Sequence, residues 1–418
     1  MSSNHEIVVL GASWAGIQSA HYILKHVIPA LPNAQDFRLT MVSPSDEFFW
    51  RVGVPRTLVN EKDLPFSKIF SNIPDGFKPY GDKFTFVRGA ATGWDAASRK
   101  VNVRLHGSGE EKEIAYYALI IATGVATTSP LMNATDPAAT KQAILDFNKA
   151  VSNAKSIIIA GGGPAGVETA GELGEYLNGA AGIFASRPSK VKAKITLVTD
   201  SDKLLPILRP AIAKQAETFL NRVGVDVIYG TKVSAVSPEG AGYELDKVTT
   251  GPVTVTLSNG NTMDADLFLP AHGVRPNTSW APKEFLTERS YIDTNTKTLR
   301  VDAAGPLVYC VGDVASCSRG GALEIQNAIP VLGTNFKRDL LAGEGKPTGK
   351  DRERTPETAE SHLVPVGRSK GVGAFNGMRF PSVMVWMIKG RDYMTGMAVK
   401  TVNGGSVAKE SKWVPVDA

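Results

Sequence analysis

Two glycine-rich segments contain the residues whose spacing points most directly to a chemistry. They are LGASWAG at 10–16 and AGGGPAG at 160–166. In a strand–turn–helix unit, such glycines make the tight turn, let a pyrophosphate reach the backbone and let the helix pack on the strand. The helix N-terminus then offers free N–H groups to the phosphates. The sequence therefore predicts two phosphate-binding loops, and the candidate residues are Gly11, Ser13, Gly16, Gly161, Gly163 and Gly166.

The strand after each loop ends without the acid that usually binds an adenosine ribose. The first unit has Ser43 at this position, and the second has Thr199 followed by Asp200. A missing acid removes a repulsion against a 2′-phosphate, and Lys203 and Arg209 lie downstream with the charge to bind one. Ser43, Thr199, Lys203 and Arg209 are thus candidate cofactor residues, and both NADH and NADPH stay open as the coenzyme.

A bare carboxylate at the end of a late apolar strand is the third chemical feature. In VYCVGDVASC, residues 308–317, the strand stops at Gly312-Asp313. Asp is common in turns, so Asp313 could cap the next turn. The alternative is that it accepts a hydrogen bond from a cofactor hydroxyl, because ligands of open α/β sheets bind beyond the carboxyl ends of the strands.

The elements around these residues predict an α/β fold with two Rossmann-like dinucleotide-binding domains. Each loop lies between an apolar strand and a helix-period pattern, and each unit continues into another apolar strand. The chain therefore contains two βαβ units, and such units imply parallel sheets covered by helices. We further expect apolar strands at 37–43 and 194–200, antiparallel strands within 84–105, buried strands at 116–124 and 264–273, and a polar loop or linker at 342–361.

Composition excludes several classes of protein. The chain has 418 residues, 43% hydrophobic and 21% charged, which is typical of a globular protein. A net charge of +5 without a basic stripe gives no reason to expect nucleic-acid binding. The six histidines are scattered, so no metal site is expected, and two cysteines fit a reducing compartment. No apolar run is long enough to span a bilayer, and the first strand starts too early for a leader. We therefore expect a cytoplasmic protein.

Taken together, the motifs resemble those of the two-dinucleotide-binding-domain flavoproteins, the pyridine nucleotide-disulfide oxidoreductase superfamily. The resemblance rests on LGASWAG, IIATG, IAGGGPAGVETAGEL, PAHGVRPNT and LVYCVGDVAS. The tail VPVGRSKGVGAF…VMVWMIKGRDY resembles the apoptosis-inducing-factor-like, ferroptosis-suppressor-like branch in its fungal form. The resemblance implies FAD and NAD(P)H as cofactors. It also implies a discontinuous FAD domain at 1–125 and 265–340, an inserted NAD(P)H domain at 126–264 and a C-terminal α+β segment at 341–418.

The resemblance also implies roles for individual residues. Asp313, after Gly312, would bind the ribityl chain of FAD. Asn327 to Pro330 would open a helix whose dipole stabilises the reduced flavin. The other residues expected to face FAD are Arg56, the backbone near Ala91, Thr123 and Gly124.

The path of the electrons after the flavin is less specified. Cys310 and Cys317 do not follow the first helix, where the disulfide members of the superfamily carry their pair. Cys310 is interpreted as a buried apolar residue, and Cys317 as the same or as a redox residue. Glu168 is either a carboxylate favoured in the first turn of its helix or, by the resemblance, the residue that positions the nicotinamide. Lys389 is either a solvated surface lysine or, by the resemblance, a neighbour of the flavin ring.

These observations predict an FAD-dependent NAD(P)H oxidoreductase with a quinone-like acceptor, and Glu168 and Lys389 are its candidate catalytic residues. The apolar stretch 383–388 is core, the lining of a quinone channel or a contact to a lipid surface, so peripheral membrane contact stays open. Two alternatives remain: a flavin-dependent tailoring oxidase of fungal secondary metabolism, and an NAD(P)H-sensing redox partner protein. The sequence does not decide the acceptor, nor between monomer and homodimer.

Overall fold

The computed structural model describes residues 5–133, 135–343, 345, 349–356 and 358–407. It is a mixed α/β structure with two larger sheets, each built around a strand–glycine turn–helix unit, and a small C-terminal sheet. The predicted fold class is confirmed.

The strands, numbered in chain order, are β1 His5–Leu10, β2 Phe37–Ser43, β3 Glu47–Phe49, β4 Phe70–Asn72, β5 Phe84–Asp95, β6 Lys100–Leu105, β7 Glu111–Ala115, β8 Ala118–Ile121, β9 Val125–Thr127, β10 Ser156–Ala160, β11 Lys194–Val198, β12 Val225–Ile228, β13 Val233–Ser237, β14 Val253–Leu257, β15 Thr262–Ala265, β16 Leu267–Pro270, β17 Val274–Pro276, β18 Val308–Cys310, β19 His362–Val366, β20 Lys370–Phe375 and β21 Met378–Arg379.

The α-helices are α1 Trp14–Tyr22, α2 Val54–Thr57, α3 Phe66–Ile69, α4 Ile73–Phe77, α5 Pro137–Asn153, α6 Pro164–Asn178, α7 Pro210–Asn221, α8 Ala322–Gly343, α9 Ser382–Val385 and α10 Gly396–Val402. A π-helical turn, Trp386–Gly390, directly follows α9.

The first sheet has the strand order β18-β8-β1-β2-β5-β6-β7. Strands β18, β8, β1, β2 and the start of β5 run parallel, and β5, β6 and β7 are antiparallel. The parallel strands are apolar and buried on both faces, as expected for a sheet covered by helices. Because β1, β8 and β18 end at the same edge, the first glycine loop, the turn after β8 and Asp313 lie together there.

The second sheet is parallel, with the order β12-β11-β10-β16. Leu267–Pro270 pairs with β10 in this sheet, although it lies beyond the boundary expected at 264/265. The middle unit extends at least to Pro270, because strand pairing rather than motif order decides membership. The two connections between the units, β9 and β17, pair with each other in antiparallel fashion.

The C-terminal segment contains the antiparallel strands β19, β20 and β21, followed by α9, the π-helical turn and α10. It packs closely on α6, because a Cβ on Gly171 would lie 3.0 Å from the Cα of Val366. It also reaches the first unit, where the imidazole of His21 lies 2.8 Å from the Val402 carbonyl oxygen. This segment therefore joins the two dinucleotide-type units.

Several local expectations can be compared with the structure. The strand at 37–43 and the antiparallel strands within 84–105 are confirmed. The described part of 342–361 is without strand and carries only the last residues of α8. The helix expected to open at Asn327 begins earlier, at Ala322, and Pro330 lies inside it. Its N-terminus is set by the Gly320-Gly321 turn, where both glycines have positive φ.

Candidate functional site

The first glycine loop is shaped by close backbone packing. Gly11 has φ +101°, and a Cβ there would collide with the carbonyl of Ala122. A Cβ on Gly16 would collide with the carbonyl oxygen of Gly11. Both glycines are therefore required by the turn and by the approach of α1 to β1. Ser13 does not have this constraint, and it lines the cavity in front of the loop.

Two adjoining cavities lie at the carboxyl edge of the first sheet. The larger has a volume of about 490 Å³ and the smaller about 150 Å³, and they share Ser13, Arg51 and Thr123. Ser43 and the backbone around Ala91 line the larger cavity. Gly124, Asp313 and the start of α8 line the smaller one. The sequence-predicted residues Gly11, Ser13, Ser43, Ala91, Thr123, Gly124 and Asp313 are thus brought together along one elongated space.

Two buried polar atoms face the smaller cavity without a partner. Asp313 Oδ1 and Trp14 Nε1 are both buried and make no hydrogen bond within the described part of the chain. Gly312 has φ +86°, and a Cβ there would lie 2.7 Å from the Cβ of Ala15, so the turn brings Asp313 close to α1. An unsatisfied buried carboxylate oxygen and an unsatisfied indole donor suit a ligand rich in hydroxyls and carbonyls. They fit FAD, whose ribityl hydroxyls Asp313 would hold.

Arg51 is a charged cavity residue that was not among the residues predicted from the sequence. It lines both cavities, and its Nη1 donates to the Val125 carbonyl at 3.2 Å. Burial lowers the pKa of Arg51, while the nearby Asp313 carboxylate opposes that shift. The guanidinium stays charged. It is therefore a fixed positive charge beside the space that would hold the cofactor.

Arg56, which was expected to face FAD, lines neither cavity. Its Nη2 donates to Glu172 Oε1 at 2.8 Å, and this pair is nearly inaccessible, with 8% and 0% of the two side chains exposed. Its Nη1 donates to the Arg391 carbonyl at 2.8 Å. Arg51 lines the cavities, while Arg56 is held by a buried carboxylate on α6.

The two candidate catalytic residues form an ion pair with each other. Lys389 Nζ lies 2.5 Å from Glu168 Oε1, with 15% and 4% of the side chains exposed. Glu168 is the fifth residue of α6, so it lies in the second turn and not in the first. Burial raises the pKa of Glu168, the Lys389 charge opposes this, and the charge of Glu172 adds to the rise. The surface interpretation of Lys389 is thereby excluded.

The second glycine loop leaves open space at one position. Gly161 has φ +130°, and a Cβ on Gly166 would collide with the Gly161 carbonyl oxygen, so both are needed for packing. A Cβ on Gly163 would meet no heavy atom of the described chain within 4 Å. This is the position where a pyrophosphate would approach the N-terminus of α6, and the loop therefore fits NAD(P)H.

The residues expected near the ribose are mostly engaged elsewhere. Thr199 is 3% exposed and contacts the loop, since a Cβ on Gly162 would lie 2.6 Å from its Oγ1. Lys203 Nζ donates to the Leu208 carbonyl at 2.5 Å. Arg209 Nε donates to Glu360 Oε2 at 2.6 Å. Lys203 keeps further N–H donors, whereas the charge of Arg209 is largely used by Glu360.

Thr123 has a structural contact beside the cavities, while Asn327 and Pro330 lie outside them. Thr123 Oγ1 donates to the Asn277 carbonyl at 2.9 Å, which fixes the turn after β8. Asn327 is exposed and Pro330 is half-buried on α8, and neither lines the two cavities. Gly321 and Ala322, at the start of α8, line the smaller cavity in the position expected of Asn327 to Pro330.

Neither cysteine is placed for thiol chemistry. Cys310 is completely buried, Cys317 is partly buried, and the two are not bonded to each other. Burial raises the pKa of both thiols, which disfavours the reactive thiolate. Within the described ranges, no group of His, Cys, Asp and Glu could hold a metal ion.

The chain is similar to known redox proteins along almost its whole length. It is 46% identical over 396 residues to oxidoreductase phnG of Penicillium herquei, covering 94% of each chain. It is 26% identical over 408 residues to ferroptosis suppressor protein 1 of Xenopus tropicalis, covering 94% of this chain and 95% of that protein.

The fold is shared with the sulfide:quinone oxidoreductase of Aquifex aeolicus, with TM-score 0.72 and 15% identity over 97% of this chain and 93% of that one. The family model described as pyridine nucleotide-disulphide oxidoreductase matches residues 5–330. The cofactors of this chain are FAD and NAD(P)H, as the resemblance implied. By sequence and fold, the chain belongs to the pyridine nucleotide-disulphide oxidoreductase family.

Proposed function

We propose that the chain is an FAD-dependent NAD(P)H oxidoreductase that passes electrons to a quinone-like acceptor. Bound FAD would supply the redox chemistry, as the acceptor of a hydride from NAD(P)H and the source of electrons for the acceptor. Its holding residues would be the first glycine loop, Asp313 and Arg51, and the second loop would hold NAD(P)H. The main contribution of the protein would be to position the nicotinamide ring against the flavin ring.

The observation that carries the acceptor class is an exposed apolar surface next to Lys389. This acceptor face consists of Phe375, Met378, Val383, Met384, Met387 and Ile388. Met378 is 66% exposed, and Val383 and Met387 are each 57% exposed. Contiguous exposed apolar side chains mark sites that bind apolar ligands, lipid or other proteins. Ile388 directly precedes Lys389 in the chain, so the face reaches the buried Glu168–Lys389 pair at this residue.

Lys389 has a hydrogen-bond donor to offer such an acceptor. An ammonium has three N–H donors. Two are used, by Glu168 and by the Leu363 carbonyl at 3.1 Å. The third is available for an acceptor carbonyl, and the positive charge would stabilise the negative charge that develops on it. The Glu168 carboxylate holds Lys389 in place for this role.

The acceptor face also supports peripheral contact with a lipid surface. A quinone-like acceptor with an apolar tail is dissolved in lipid, and a face of methionine and aliphatic side chains would be covered there. In the described part of the chain, no helix is long and apolar enough to cross a membrane. Any membrane contact through this face would therefore be peripheral.

A second candidate function is a flavin-dependent tailoring oxidase of fungal secondary metabolism. The 46% identity to the Penicillium herquei oxidoreductase phnG favours it. In that case the acceptor face would admit one specific organic substrate rather than a class of quinones. Mass spectrometry of products separates this candidate from the first one.

The test is NAD(P)H oxidation with a panel of quinones whose tails increase in length. We expect turnover, with a KM for quinone that rises severalfold in the Val383→Ser/Met387→Ser variant. The matched control is Ile183→Ser/Phe184→Ser, because these side chains are 86% and 101% exposed on the loop between α6 and β11. The control should keep the KM of the wild type. A wild type that no quinone stimulates would contradict the proposed acceptor class.

A further inference from the structure

A second buried ion pair lies one helical turn from the Glu168–Lys389 pair. Glu172 follows Glu168 on α6 with a spacing of four residues, so both carboxylates lie on the same face of the helix. The Glu172 carboxylate accepts hydrogen bonds from Arg56 Nη2 at 2.8 Å and from Arg56 Nε at 3.2 Å. Tyr393 donates its hydroxyl to Glu172 Oε1 at 3.1 Å, and the Arg56 guanidinium lies 4.8 Å from the centre of its ring.

The same guanidinium binds the chain immediately after Lys389. Arg56 Nη2 donates to the Gly390 carbonyl and Nη1 to the Arg391 carbonyl, each at 2.8 Å. The Lys389 carbonyl in turn accepts from the Tyr393 backbone N–H at 2.7 Å. Trp50 Nε1 donates to the Tyr393 carbonyl at 2.8 Å. Residues 389–393 are therefore fixed to the first unit through Arg56 and Trp50.

We propose that Arg56 is a positioning residue that holds Lys389 and Glu168 together, through the backbone of residues 390–391 and through neutralisation of Glu172. This inference rests on the proposed function of the Glu168–Lys389 pair. Arg56 comes from α2, Glu172 from α6 and the carbonyls from the C-terminal segment, so one side chain joins three parts of the chain at the candidate site. Its bidentate geometry is one that lysine cannot reproduce.

The electrostatic part of the inference follows from the two carboxylates. Both side chains are buried, and the Glu172 charge adds to the burial that raises the pKa of Glu168. The Arg56 charge compensates Glu172, so less of that repulsion reaches Glu168. The charged or titratable groups that interact with Glu168 are Lys389 from the π-helical turn, Glu172 from its own helix and Tyr393 from the C-terminal segment. The groups that interact with these partners are Arg56 from α2, Arg368 from the C-terminal segment, Asp63, and His362 on β19 beside Lys389.

The chain contains a matched arrangement that serves as a control. Arg300 binds Asp339 through two hydrogen bonds of 2.8 and 2.7 Å, Tyr309 donates to the same carboxylate at 2.6 Å, and Arg300 lies 5.7 Å from the Tyr309 ring centre. Arg300 and Asp339 take no part in the hydrogen bonds of the Arg56–Glu172 and Glu168–Lys389 pairs, and they line neither cavity. Arg300→Lys therefore disturbs a similar Arg–carboxylate–Tyr cluster away from the site.

The first experiment does not depend on turnover. Lysine side chains of the FAD-loaded protein are acetylated for short times, and the modification at Lys389 is measured by peptide mass spectrometry. In Arg56→Lys we expect Lys389 to react at least severalfold faster than in the wild type, since it is no longer held. Arg300→Lys should leave its reactivity unchanged. Equal reactivity of Lys389 in the wild type and in Arg56→Lys would overturn the inference, even if the proposed function is wrong.

The second experiment measures the rate of flavin reduction by NAD(P)H against pH, after FAD content has been matched. Misplacement of a positioned group by about 1 Å can cost up to roughly 100-fold in rate, and we expect at least a tenfold loss in Arg56→Lys. Arg56→Met should move the acid limb of the profile to higher pH, because Glu172 is left uncompensated. Glu172→Gln should move it to lower pH, because a like charge is removed.

Opposite shifts are the signature that a purely structural role would not give. Shifts in the same direction, or an Arg56→Lys rate equal to that of the wild type, would overturn the inference. If Arg56→Met does not fold, the milder Tyr393→Phe variant, which removes only one hydrogen bond to Glu172, should reproduce the acceleration of Lys389 acetylation in smaller measure. A wild-type flavin that NAD(P)H does not reduce would contradict the proposed function instead, and the acetylation result would still decide the inference.

Discussion

Replacing Asp313 with alanine should weaken FAD binding without weakening the apoprotein. Asp313 Oδ1 is buried without a hydrogen-bond partner in the described chain, so this atom contributes no hydrogen bond to the fold when FAD is absent. A buried polar atom without a partner usually costs stability. The unfolding temperature of the apoprotein should therefore change little in Asp313→Ala, because the relief of this unpartnered atom is offset by the loss of the carboxylate's attraction for Arg51.

The loss on the FAD side can be estimated from the bond that Asp313 would make. A hydrogen bond to a charged acceptor contributes about 1.5–3 kcal/mol. This corresponds to a roughly 10- to 150-fold increase in the Kd for FAD. Asp313→Asn keeps an oxygen acceptor without the charge, so its Kd should lie between those of the wild type and the alanine variant.

Titration of apoprotein with FAD, followed by fluorescence quenching, gives all three Kd values under the same conditions. Thermal unfolding with and without FAD gives the matching stabilities. An Asp313→Ala protein with wild-type affinity would refute the role assigned to Asp313. A loss of apoprotein stability in the same variant would support a turn cap instead.

Four further predictions follow from individual residues. Gly163→Val should abolish flavin reduction by NAD(P)H and leave FAD bound, because its side chain enters space that only the coenzyme would fill; FAD content and stopped-flow reduction measure both. Cys310→Ala/Cys317→Ala should keep turnover within a few-fold, and a large loss with normal flavin reduction would reinstate a thiol relay. NADPH should be used at least as well as NADH, and Thr199→Glu should shift kcat/KM towards NADH because a carboxylate repels the 2′-phosphate; a wild type with strong preference for NADH would contradict this. Burial lowers the pKa of His21 to about 4; the Lys25 charge adds to this shift and the hydrogen bond to the Val402 carbonyl opposes it. The unfolded state therefore binds more protons than the folded state, and up to about 3 kcal/mol of folding stability should be lost as pH falls from about 6.5 to about 4. The His21→Gln variant should show less of this loss when stability is measured by urea unfolding.

The loops could be predicted from sequence because their constraints are local. Gly11 and Gly161 adopt positive φ, and Gly16 and Gly166 pack against them within five residues of chain. Such turns tolerate few other sequences, so spacing alone was informative. Asp313 was recognisable for a similar reason, since it stands where a buried parallel strand ends.

The choice between Arg51 and Arg56 could not be predicted in the same way. Both lie in one short segment before and within α2. Which one faces the cavity depends on Glu172, a carboxylate 116 residues away in sequence that binds Arg56. The Glu168–Lys389 contact spans 221 residues, and the resemblance suggested each residue separately but not their pairing. The pairing of Leu267–Pro270 with β10 could not be predicted for a related reason, since an apolar strand does not reveal its partner.

The central claim is tested most directly by anaerobic stopped-flow spectroscopy of the two half-reactions. The FAD-loaded protein is mixed first with NADH or NADPH and then with a quinone, and flavin absorbance is followed. We predict bleaching by at least one coenzyme and return of the absorbance on mixing with the quinone, at rates that account for steady-state turnover. A flavin that neither coenzyme bleaches, or that bleaches but is not reoxidised by any quinone, would contradict the account.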